Sequence, residues 1–179
     1  MQKYIDPIFA IVIGTRPDRK DQLNNLLKTL KVPFPVMTVD CDGYEIGKIK
    51  WVLENTKLES FIFLQDTVEV KDPYPFFLAL SSQTNVSFCD YPRPFGCYLG
   101  KYTRKTLEKI DLPDVQTKEQ SVDYEMKFHE DINKNGGFQT IGEDLHNVDN
   151  FVEKFGHRVM KIEGKYFIKY KTTWNRNQL

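Results

Sequence analysis

Phe61, Ile62, Phe63 and Leu64 form a continuous apolar run that closes with Gln65 and meets a carboxylate, Asp66, with no turn residue between. A strand of this kind has no polar face, so it suits the middle of a parallel sheet covered on both sides. A carboxylate at the carboxyl end of such a strand points into the crevice where open α/β sheets bind ligands. The remaining segments are read outward from this strand.

Upstream, Ile8 to Ile13 is a second apolar run, stopped by Gly14-Thr15-Arg16-Pro17. From Asp18, the expected N-cap, the spacing turns helical, with Leu23, Leu26, Leu27 and Leu30 at i, i+3, i+4 and i+7. Pro33 and Pro35 break the chain, and Val36 to Asp40 reads as a strand ending in a carboxylate. Cys41-Asp42-Gly43 makes its turn, and Tyr44 to Asn55 reads as a helix with Ile46, Ile49, Val52 and Leu53 on one side. Strand, helix, strand, helix, strand with short connections is the βαβαβ arrangement of a mononucleotide-binding half.

Downstream the pattern loosens. Asp72-Pro73 opens a helix through Leu80, Asn85 to Cys89 is a strand, and Phe95 to Gly100 is a glycine-bearing strand. A short helix over Tyr102 to Ile110 and a loop over Asp111 to Lys118 follow. Ser121 caps a helix packed by Tyr124, Phe128 and Ile132 and ended by Gly136-Gly137. Val148 to Phe155 is expected to be helical, and Val159 to Tyr170 a hairpin turning at Gly164. No repeat, low-complexity run or linker interrupts this order, so residues 1–179 read as one domain: 1–70 a nucleotide-binding half, 71–179 an acceptor-side half with a C-terminal closure.

Charge and cysteine content narrow the function classes. Lys plus Arg equals Asp plus Glu at 25 each, so the average surface offers nucleic acid no strong attraction. Three cysteines without C-x-x-C spacing argue against a disulfide scaffold or zinc ribbon and for a reducing cytoplasm. Neither a signal peptide nor a segment of membrane-spanning length is expected. The loop after the first strand lacks G-x-G-x-x-G and G-x-x-x-x-G-K-[ST], which disfavours a dinucleotide site and a P-loop.

The candidate site residues cluster at strand ends. Asp40 follows the second strand, where a carboxylate accepts hydrogen bonds from a ribose or base edge. Asp66 sits nearer the phosphates, where Mg²⁺ or Mn²⁺ would need oxygen ligands and would neutralise a diphosphate leaving group. The alternative for both, and the preferred reading of Asp42, is a strand-terminal turn former. Thr15 and Arg16 lie where a base or phosphate would be held, Arg16 offering a planar fork, or else a solvated loop side chain. The helix from Ser121 carries Asp123, Glu125 and His129, with Glu125 and His129 at i, i+4. A carboxylate here could take the proton from an acceptor hydroxyl, or the charged side could simply be solvated. His157 is the histidine best placed to be a further metal ligand. The basic stretch from Lys161 to Arg176, interleaved with Tyr166, Phe167, Tyr170 and Trp174, suits a diphosphate or nucleic-acid acceptor, or an exposed strand edge.

In this order the features resemble the GT-A fold of nucleotide-sugar glycosyltransferases, including small phage-encoded members. The resemblance covers most of the chain. It runs from the first strand with Gly14-Thr15-Arg16, through Asp40, to Phe61–Asp66 at the position of the family's metal-binding Asp-x-Asp. Phe95 to Tyr102 looks like the acceptor-side strand entering a helix, and Ser121-Val122-Asp123-Tyr124-Glu125 lies where the family places its catalytic acid motif. His157 and Lys171 to Trp174 fall where several members close over the diphosphate. The signature here reads Asp66-Thr67-Val68, with Glu69 one position late. Asp66 would hold the metal alone with the diphosphate and His157, or the metal would be weak or absent.

The resemblance implies an α/β, mixed and mostly parallel sheet flanked by helices, and a UDP-sugar donor bound with Mn²⁺ or Mg²⁺. Thr15, Arg16 and Asp40 would hold the nucleoside, Lys171 and Trp174 would close over the diphosphate, and Asp123 would be the base, with Glu125 the second choice. The acceptor would be a hydroxyl, with a modified base in phage DNA one candidate. A non-catalytic nucleotide-sugar or carbohydrate-binding module is the alternative. A nucleotidyltransferase is disfavoured by the missing glycine-rich, lysine-bearing loop.

Overall fold

The structure is a computed structural model and describes residues 8–89, 97–143, 145 and 150–171. The βαβαβ start forms as its spacing predicts: β1 (Phe9–Gly14), α1 (Lys20–Thr29), β2 (Val36–Val39), α2 (Tyr44–Asn55) and β3 (Ser60–Gln65). Both β2 and β3 pair with β1 in parallel. The five parts share one cause. Ile11, Ile13, Ile62 and Leu64 are fully buried on one side of the sheet, and Val12, Phe61 and Phe63 are buried on the other. Each such side chain contributes about 1.5–3 kcal/mol when removed from water, so this strand set cannot be turned toward solvent.

Immediately after Asp66 comes a strand the sequence pattern did not predict, β4 (Val68–Val70), followed by α3 (Tyr74–Ser81), β5 (Asn85–Cys89) and β6 (Leu99–Thr103). Then come α4 (Arg104–Leu107), α5 (Lys118–Asn135), β7 (Phe138–Glu143), β8 (Asn150–Lys154), β9 (His157–Glu163) and β10 (Phe167–Lys171). The large sheet has the order β2-β1-β3-β6-β5-β7, and β6 is antiparallel to both of its neighbours. A smaller antiparallel sheet has the order β4-β10-β9-β8.

Three expectations are corrected. The helix expected over 148–155 is strand β8: Phe155 (φ 56°) and Gly156 (φ 78°) both adopt left-handed backbone, the two-residue turn that closes a tight hairpin onto β9. Asp18 does not cap α1; Arg19 is the N-cap residue and Asp18 pairs with Arg16 instead. α5 begins earlier than Ser121, because Thr117 and Gln120 form a reciprocal capping box. Ser121 is buried in its first turn.

One side of the large sheet is covered by α2 and α5, through Ile46, Ile49, Val52, Phe128 and Ile132. The other is covered by α1, α3 and the small sheet, through Leu26, Phe76, Val68, Ile162 and Phe167. Two cations, half-buried Arg104 and buried Lys101, tie helix ends to this frame. Arg104 donates to the carbonyls of Leu53 (2.9 Å), Thr56 (2.8 Å) and Leu58 (2.8 Å) at the end of α2. Lys101 donates to Ala79 and Ser82 at the end of α3. Neither helix has a basic residue in its own last turn, so β6 and the start of α4 supply the cations that the two termini favour.

Candidate active site

Parallel pairing of β1, β2 and β3 brings Gly14, Val39 and Gln65 to one edge of the sheet, and the start of β6 joins them because that strand runs the other way. The residues that follow the three strands therefore converge. Thr15 N–H bonds the carbonyl of Val39 at 3.0 Å, and Asp66 N–H bonds that of Gly14 at 3.0 Å.

The Asp66 side chain is fully buried. One of its oxygens accepts from Thr15 Oγ1 at 3.0 Å, and the other pairs with Arg19 Nη1 at 3.2 Å. Burial pushes its carboxyl up, against the opposing pull of Arg19 and Thr15. Beside it, Lys169 of β10 is buried and donates to Gln65 and Thr67, with its ammonium 4.4 Å from the centre of the Tyr98 ring. Burial brings that ammonium down to about 8, while Glu45 and Asp66 favour its charge. Gln65 in turn donates to Glu45, in the first turn of α2. That turn is entered through two left-handed residues, Gly43 (φ 89°) and Tyr44 (φ 56°). A non-glycine residue in that region is a local cost that the surrounding packing has to sustain.

Glu125 approaches the same group from α5. The Cys97 thiol donates to its Oε1 at 3.6 Å. Burial pushes its carboxyl up to about 7, Glu45 adds to the effect, and Cys97, Lys169 and Lys118 pull against it. A carboxyl poised there can accept a proton near neutral pH. Asp123, the other candidate base, lies on the exposed side of α5. His129, one turn beyond Glu125, stacks on Phe138 at 4.7 Å, and burial lowers it to about 4, so it is a neutral packing residue.

The remaining sequence candidates are placed as follows. Arg16 is exposed and paired with Asp18 at 3.1 Å. Asp40 is exposed beyond β2, at the edge that carries Thr15 and Asp66. Lys171 ends β10 opposite Met160. Trp174 lies outside the described residues. His157 is exposed at the tip of the β8–β9 hairpin, its Nδ1 3.0 Å from the Phe155 carbonyl. Glu69, the late carboxylate of the signature, is held by Asn25 (3.1 Å), Tyr170 (3.0 Å) and Lys154 (3.3 Å). Although burial pushes its carboxyl up, these partners outweigh it and hold it below the usual range.

Mg²⁺ and Mn²⁺ need several oxygen ligands around one point. Among the described residues no three His, Cys, Asp or Glu side chains gather as a metal-binding group. The pairing of Asp66 with His157 expected from the sequence is not assembled: the Asp66 carboxylate is fully buried where the strands end, and the imidazole is on an exposed hairpin tip. Both Asp66 oxygens already accept, from Thr15 and from Arg19, so the one expected ligand at this edge is not set out for a divalent cation.

Arg19, Glu45 and Lys169 escaped the sequence reading as site residues. Arg19 stood in a polar loop among several charges, and Lys169 in a basic run whose strand alternation did not reveal which lysine turns inward. Gln65 was a visible signal, the single polar residue closing a buried strand.

No protein-family model matches this sequence, and no curated protein matches it. Solved structures do. The chain is similar to A197 from STIV, with 12% identity, 94% of this chain and 96% of that one covered, and a TM-score of 0.53. It is also similar to a glycosyltransferase involved in the glycosylation of the major capsid of PBCV-1, with 14% identity, coverage of 77% and 82%, and a TM-score of 0.50. The fold is GT-A-like: a mostly parallel mixed sheet flanked by helices, as in that glycosyltransferase.

Proposed function

We propose that the chain transfers a sugar from a nucleoside diphosphate sugar to a hydroxyl acceptor, with Glu125 as the general base. The observation that carries this reading is the position of Glu125. It is a half-buried carboxyl on α5, hydrogen-bonded to Cys97, and shares an electrostatic neighbourhood with Glu45 and Lys169 at the edge of the sheet where the first three strands end. Its carboxylate takes the proton from the acceptor O–H as that oxygen bonds to the anomeric carbon. The bond from that carbon to the diphosphate breaks, and the diphosphate leaves with the electron pair. In this reading Glu125 takes the place of Asp123, which is exposed on the other side of the helix. Thr15 and Asp40 line the edge where the nucleoside would lie, and a UDP-sugar is the first donor to test. A modified DNA base belongs in the acceptor panel, although the chain's charge is balanced. Among the described residues no helix is long and apolar enough to cross a membrane.

The test is donor turnover across a panel of sugar nucleotides and acceptors, for the wild type, Glu125→Gln and Asp123→Asn. Transfer lost by roughly a hundredfold or more in Glu125→Gln, with donor binding kept, supports the assignment. Donor binding without turnover on every acceptor would point instead to a binding module.

A further inference from the structure

The misfit between Asp66 and a divalent cation has a positive counterpart in Arg19. A guanidinium carries five N–H donors in a rigid planar fork. Among the described residues one of them is used, by Asp66 Oδ1 at 3.2 Å, while the side chain is 11% exposed. Sheltered donors of this kind are seldom left without an acceptor. An oxyanion meets that need, since paired N–H bonds to phosphate are among the strongest polar contacts a side chain makes.

Two cations, Arg19 and Lys169, flank Asp66, and Glu45 and Glu125 also act on Lys169. Arg19 is the cation of the two with donors to spare. Lys169 is already held by Gln65 and Thr67 and serves as a fixed charge behind it. Thr15 completes the support by taking the second Asp66 oxygen, so the carboxylate cannot turn toward an incoming cation without breaking both contacts.

We infer that Arg19, oriented by Asp66, binds the diphosphate of the donor directly, and that donor binding requires no divalent cation. This rests on the nucleotide-sugar reading above.

Isothermal titration of the full chain with UDP, GDP, ADP, CDP and TDP, in EDTA and then in excess Mn²⁺, tests it. At least one diphosphate is expected to bind in EDTA with a Kd within about threefold of its Mn²⁺ value. Arg19→Gln should weaken that binding by about tenfold or more. Binding seen only with Mn²⁺ overturns the inference and leaves the transferase reading standing. Binding in EDTA that Arg19→Gln leaves unchanged overturns the role of Arg19. No binding of any diphosphate under either condition overturns both the inference and the nucleotide-sugar reading. The wild-type comparison decides metal dependence even if a variant fails to fold.

Discussion

Replacing Glu125 with Gln should make the protein more stable above neutral pH while removing its activity. In the folded chain the Glu125 carboxyl is raised from 4.5 to about 7, first by burial and then by Glu45. An acid whose folded pKa lies above its unfolded one binds more protons when folded. Its contribution to stability is therefore whole below about 4.5 and is lost as pH rises through about 7. The shift corresponds to about 3 kcal/mol, or about 2 kcal/mol after allowing for the solvent that reaches the half-buried side chain. Gln resembles the protonated acid in shape and can still accept from Cys97, so it escapes the loss. Chemical denaturation of both proteins across pH 4 to 8 reads the difference directly, with other titrating groups such as Asp66 cancelling. The two should be nearly equal at the acid end, and the variant should be about 2 kcal/mol more stable at the alkaline end, or roughly 4–8 °C in Tm. A group kept in a costly state for chemistry commonly shows this exchange of stability for activity. A flat difference across the pH range would refute the claim that Glu125 ionises in a buried setting, and full turnover in the variant would refute its role as base.

Three further outcomes follow from the geometry. Arg104→Ala should cost about 2–4 kcal/mol by urea denaturation, because the carbonyls of Leu53, Thr56 and Leu58 lose a charged donor together. Gly136→Ala should destabilise by about 2 kcal/mol. Its new Cβ would overlap Thr106 Oγ1 and lie 3.0 Å from Asn85 Nδ2, within the hydrogen-bonded group that fixes buried Asn85, and an unchanged Tm would show that this group yields easily. A single displacement assisted by one base inverts the reacting carbon, so NMR of the product made from an α-linked donor should give the β-anomer, and retention would exclude Glu125 acting in that way.

The βαβαβ half was legible because its signals are local. Apolar runs at 8–13 and 61–64 leave no polar face, and α1 and α2 repeat at helical spacing within a dozen residues. The later half was read less well for a physical reason. Strands β4 and β8 are held by partners far along the chain or by a left-handed turn at Phe155-Gly156, and neither leaves a clear period in its own residues. In the site, Asp66 could be placed at the crevice from the run before it, but its partner could not.

By itself, then, the order of residues determined that a buried parallel strand would end in a carboxylate, that helices would cover it, and that an acidic helix would follow. These depend on neighbours within a few turns of chain. Which cation meets that carboxylate, and which of Asp123 and Glu125 faces inward, were decided only when the chain closed. Arg19 lies 47 residues from Asp66, and Lys169 lies 102 residues from Thr67. The energy of a buried charge is set by whatever groups packing brings within a few ångströms, and spacing along the sequence carries almost no record of that.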